Sequence, residues 1–137
     1  MEALKSKIKI SILWIAFAIT ASAGMIIWFI EPGILENIMT QRELAGEQLN
    51  VMTIVFFLLW WFIPLSMAFL TQILKYIANR WANLIAGLIF GLFTTYYFIN
   101  LILNGWFLIP NLLILVFELI IIALILRYTW KLQEETT

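Results

Sequence analysis

The sequence predicts an all-α membrane protein: a four-transmembrane-helix bundle with a short interfacial helix in the first extracytoplasmic loop. Three observations predict it. The 137 residues are 64% hydrophobic and 12% charged, whereas a soluble domain is roughly half apolar and about a quarter charged. Mean hydropathy is +1.02, and so small a chain could not hide that much apolar surface from water. The apolar residues also fall into four long stretches, each close to the ~20 residues a helix needs to cross a bilayer core.

The spans run from about 8 to 30, 51 to 74, 84 to 103 and 106 to 128, and residues 1–137 read as a single transmembrane domain. The basic residues orient them. Lys5, Lys7 and Lys9 precede the first span, Lys75 and Arg80 lie between the second and third, and Arg127 and Lys131 follow the fourth. Arg42 alone falls on the other side, in a loop with Glu31, Glu36, Glu43 and Glu47. The positive-inside rule then puts both termini in the cytoplasm of a multi-pass protein, expected in a bacterial inner membrane. Tryptophans fit this frame, with Trp81 and Trp130 at the inner boundary and Trp28 and Trp106 at the outer one.

The first span has a second reading. Lysines, an apolar run and Ala21-Ser22-Ala23 resemble a cleavable signal peptide. The apolar run continues through Met25–Ile30, past that cut, and favours an uncleaved helix. In the following loop, Glu31-Pro32-Gly33 stops a helix and turns the chain. Ile34, Leu35, Ile38 and Met39 then share one helical face, which predicts either a short helix lying on the membrane surface or an ordinary connector.

Composition also excludes chemistries. The chain has no cysteine, histidine or aspartate, which removes disulfides, the usual zinc ligands and histidine-based acid–base catalysis. Its net charge of zero offers no field for nucleic acid. The expectation is a protein that is not an enzyme and carries no cofactor or metal. Its expected partners are the lipid bilayer and either another membrane protein or a second copy of itself.

Glu118 is the most informative residue. It falls near the middle of the fourth span, among Ile114, Leu115, Ile121 and Ile122. Hydrocarbon tolerates such a group in its uncharged form, and membrane carboxyls turn toward the bundle interior. No lysine or arginine occurs at that depth. Such a group suits a proton-coupled or cation-binding site; equally, it could hydrogen-bond a neighbouring helix and hold the bundle together. Thr20, Thr94 and Thr95 lie at similar depth. Asn111 is two turns before Glu118 on the same face. Tyr96, Asn100 and Asn104 line one face of the third span. Together these predict either a polar pocket opening outward with Glu118 at its floor, or helix ends that simply reach the headgroup region, where Tyr and Asn are comfortable, the latter being the better account of Asn104.

Packing signals are plainer. Gly87 and Gly91 form a GxxxG face on the third span, and Ala16, Thr20 and Gly24 form a small-residue stripe on the first. The expectation is that these two helices touch there, a homodimer through GxxxG being the lesser alternative. Trp60, Trp61 and Pro64 sit mid-membrane in the second span, where proline removes a backbone donor. Pro110 falls in the first turn of the fourth helix and costs little.

The run Lys75-Tyr76-Ile77-Ala78-Asn79-Arg80-Trp81-Ala82-Asn83 resembles an uncharacterised family of small bacterial four-helix integral membrane proteins, distantly DoxX-like. Leu13-Trp14, Pro32-Gly33, Ile63-Pro64, Ala86-Gly87, Glu118 and Tyr128-Thr129-Trp130-Lys131 also fit, so the resemblance spans nearly the whole chain. It implies a four-helix membrane fold and no particular activity. Phe62 departs from it, standing where the family pattern has a glutamate before Ile-Pro. Two functional expectations follow: binding or translocation of a small solute or proton around Glu118, or a structural or accessory subunit of a membrane complex.

Overall fold

The computed structural model describes residues 2–44, 47–103 and 109–132. Asn104 and Trp106 lie outside them. Four long helices and one short one make up the fold: α1 (Glu2–Phe29), α2 (Ile34–Gln41), α3 (Val51–Ile73), α4 (Tyr76–Leu103) and α5 (Ile109–Trp130). The four long helices are each long and apolar enough to span a bilayer. Between α2 and α3, β1 (Glu43–Leu44) and β2 (Glu47–Gln48) form a minimal antiparallel ribbon, Glu43 opposite Gln48.

Local chemistry explains the joints. Gly33 starts α2 at φ +88°, a left-handed conformation that glycine reaches without a Cβ clash. The Asn50 side chain accepts from the Thr53 amide at 3.0 Å and caps α3. The α3 helix continues through a buried Pro64. Only Leu74 and Lys75 separate α3 from α4, and Lys7 closes that corner by donating from Nζ to the Leu74 carbonyl at 3.2 Å.

The bundle is a ring in which α1 packs along both α3 and α5, and α4 packs along α5. The α3–α4 side is more open and is bridged by rings. Trp60 meets Phe90 at 4.8 Å and Tyr97 at 6.1 Å between centroids, and Phe56 meets Phe93 at 5.7 Å. Trp14 and Phe17 of α1 fill the centre, with Phe17 5.3 Å from Phe90. A lipid-facing bundle needs this arrangement: the interior is filled, and the outward isoleucines, leucines and phenylalanines stay exposed.

Two helices begin before the spans expected of them: α1 starts at Glu2 and α4 at Tyr76. The expected start of the fourth span, Trp106, lies outside the described residues. Asn79 and Asn83, which the sequence places on the third helix in the same four-residue repeat as Gly87 and Gly91, are buried inside the bundle. The expected contact between the first and third spans is also corrected. A Cβ on Gly87 would meet Leu126 at 2.9 Å, one on Gly91 would meet Ile122 at 3.4 Å, and one on Gly24 would meet Ile114 at 3.2 Å. All three notches therefore receive branched side chains of α5. Ala16 is half-buried against the central cluster. The α1 and α4 helices lie diagonally and are joined by the long Trp14 side chain instead.

Of the predicted apolar face of α2, Ile34 is buried while Leu35 and Met39 remain exposed. A hollow of about 590 Å³ opens between this helix and the end of α1, lined by Phe29, Ile30, Glu31, Leu35, Glu36 and Met39.

Candidate functional site

The glycine contacts fix the register around Glu118. Gly91 faces Ile122, so one turn further along α4 and one turn back along α5 bring Thr94 and Thr95 level with Glu118. On the other flank Gly24 faces Ile114, so the same step brings Thr20 level with Glu118. Glu118 is 4% exposed and Thr94 0%. Both therefore point into the bundle from the packed α4–α5 pair.

Neither is satisfied. Among the described residues, Glu118 makes no hydrogen bond or ion pair, although its carboxyl oxygens are not fully enclosed, and the Thr94 hydroxyl is a fully buried polar atom without a partner. The contrast with neighbouring hydroxyls is informative. Thr20, Ser22, Thr71 and Thr95 each donate to the carbonyl four residues earlier, at 2.7–2.8 Å. That back-bond is the usual resting place of a hydroxyl in an apolar helix. Thr94 does not make it. A carboxyl and a hydroxyl thus share one depth in hydrocarbon with free hydrogen-bonding capacity, an arrangement that costs stability unless something transient fills it. The Trp61 indole N–H and the Thr129 hydroxyl are also buried without partners.

Other predicted members fall elsewhere. Thr95 is exposed on the outer face of α4. Asn100 bonds back to the Tyr96 carbonyl at 3.1 Å, and Tyr96 is 62% exposed. Asn111 is half-buried two turns from Glu118. The outward-opening polar pocket is therefore not formed by these residues: the polar stripe of the third span faces outward, where bilayer headgroups accommodate Tyr and Asn. No group of histidine, cysteine or acidic side chains among the described residues could hold a metal ion.

A polar cluster that sequence reading missed lies ~16 Å away, three turns down α4 toward the basic end. Trp14 Nε1 donates to Asn83 Oδ1 at 2.6 Å. Asn83 Nδ2 donates to Asn79 Oδ1 at 2.6 Å and to Thr71 Oγ1 at 3.1 Å. Asn79 Nδ2 donates to the Thr71 carbonyl at 2.9 Å. Beside it, Gln72 Nε2 donates to Ser11 Oγ at 2.6 Å, and that hydroxyl donates to the Ala68 carbonyl at 2.8 Å. The four-residue spacing of Asn79 and Asn83 was the available signal: on a helix it places both amides on one face.

These features define a multi-pass α-helical membrane protein with an ionisable residue buried at mid-span. No family model, curated protein or solved structure matches the chain.

Proposed function

We propose that this protein is a non-enzymatic, multi-pass protein of a bacterial inner membrane, with both termini cytoplasmic, that binds and releases a proton at Glu118. The observation carrying this reading is that Glu118, which makes no hydrogen bond, and the unpartnered Thr94 hydroxyl are both buried at one depth of the bundle. A carboxyl kept for structure would be expected to bond a neighbouring helix, and this one does not. The tight surroundings suit a proton, which needs only a transient water between carboxyl and hydroxyl, better than a larger solute. Phe62, at the position where the resembled family has glutamate, is 60% exposed on α3. A carboxyl there would sit on the lipid face, so its loss leaves the Glu118 site intact.

The test is proton flux into liposomes carrying an internal pH dye and the purified protein. Wild type is expected to dissipate an imposed pH gradient, and Glu118→Gln to fall to the rate of empty liposomes. A flux unchanged by Glu118→Gln would overturn the reading. The second reading is an accessory subunit of a membrane complex, and the near-complete burial of Glu118 favours it. It predicts no flux from either protein, together with stable co-purification of a membrane partner from native membranes.

A further inference from the structure

The motif Asn79-Arg80-Trp81-Ala82-Asn83 divides its residues by face. Asn79 and Asn83 turn inward to the polar cluster, while Trp81 is exposed and Arg80 half-exposed at the basic end of α4. The Arg80 guanidinium is held in place from two sides. Nη1 donates to the Tyr76 hydroxyl at 3.3 Å, and the guanidinium carbon lies 5.0 Å from the centre of the Trp130 ring on α5. The last turn of α5 carries two more cations at this end. The Lys131 amide bonds back to the Arg127 carbonyl at 3.2 Å, so the two side chains lie one turn apart on one helical face, flanking Trp130 in sequence. All three α5 side chains are exposed. No carboxylate lies at this end among the described side chains; Glu2, Glu134 and Glu135 are not among them.

A guanidinium fixed by a ring and a phenol, with donors left over and no carboxylate to consume them, is preorganised for a phosphate. The groove lies where an apolar helix pair meets the membrane surface, with two exposed tryptophans at that level. Its natural occupant is therefore a lipid headgroup rather than a soluble anion. We propose that the groove between the basic ends of α4 and α5 binds the phosphate of an anionic phospholipid through Arg80, Arg127 and Lys131. The site is independent of the chemistry at Glu118.

The test is native mass spectrometry of the full-length protein in mild detergent, titrated with phosphatidylglycerol or with phosphatidylcholine of identical chains. Phosphatidylglycerol is expected to bind severalfold more tightly. Arg80→Gln and Arg127→Gln are each expected to weaken it roughly fivefold, about what one basic charge contributes at a membrane surface. Arg42→Gln removes the same charge from the opposite end of the bundle, just after α2, and is expected to leave binding unchanged. Arg80→Lys, which keeps the charge and loses the planar fork, is expected to fall between. Equal retention of both lipids would overturn the proposal. So would a loss on Arg42→Gln as large as that on Arg80→Gln, because net charge alone would then explain the binding. Both arginines are surface residues, and matched melting temperatures confirm that the variants are folded.

Discussion

Two polar regions lie three turns apart in the same bundle and are built on opposite rules. Near the basic end, Trp14, Thr71, Asn79 and Asn83 are buried and every polar side-chain atom has a partner. At mid-span, Glu118 and Thr94 are equally buried, and among the described residues neither side chain has one. In a low-dielectric interior a satisfied network rigidifies, while an unsatisfied group destabilises. The first region holds α1, α3 and α4 together; the second retains an uncompensated cost, which a proton-binding role would account for. Substitutions should therefore behave oppositely in the two places.

The largest expected effect is at Asn83. Asn83→Leu removes the acceptor of the Trp14 indole and a donor to both Thr71 and Asn79. Stranding buried polar groups costs about 1–3 kcal/mol each in water-soluble proteins, with membrane bonds at the lower end. A loss of about 2–4 kcal/mol is expected, read as a lowered unfolding midpoint in detergent. Next comes Gly87→Val, which drives a branched side chain against Leu126 in a notch where even a Cβ sits at 2.9 Å. Overpacking of this kind costs about 1–3 kcal/mol. The same assay checks it, and Gly33→Ala, in the surface turn before α2, supplies a strained but unpacked control.

The paired threonines sharpen the comparison most. Thr71→Val breaks a linked hydroxyl and should cost about 1 kcal/mol. Thr94→Val removes an orphan hydroxyl at nearly constant volume and should be neutral or slightly stabilising. Equal losses at both positions would mean that Thr94 has a partner after all. The smallest effect on stability is expected for Glu118→Gln, within about 1 kcal/mol of wild type, while proton flux is lost.

Much of the fold was legible because hydropathy over ~20 residues responds to the bilayer rather than to any neighbour. Four spans, the turn at Pro32-Gly33 and the short helix from Ile34 follow from chain-local signals. What depended on a partner was less legible. The Gly87, Gly91 and Gly24 notches showed which faces are thin, but not that Leu126, Ile122 and Ile114 of α5 would fill them. The four-residue repeat puts Asn79 and Asn83 on one face of the third helix, but could not show that Thr71 and Trp14, on other helices, would bond them. At the candidate site, position along each span grouped Glu118 with Thr20, Thr94 and Thr95. Periodicity within α4 alone could not choose between Thr94, which faces inward, and Thr95, which faces outward.

The most direct measurement is infrared difference spectroscopy of the protein in lipid bilayers as the bath is cycled in pH. An exchanging Glu118 predicts a carboxylic-acid C=O band, shifted little by hydrogen bonding, that disappears and returns reversibly in wild type and is missing in Glu118→Gln. A spectrum that stays the same through the cycle, or a band that survives Glu118→Gln, would contradict a proton-binding carboxyl at the centre of this bundle.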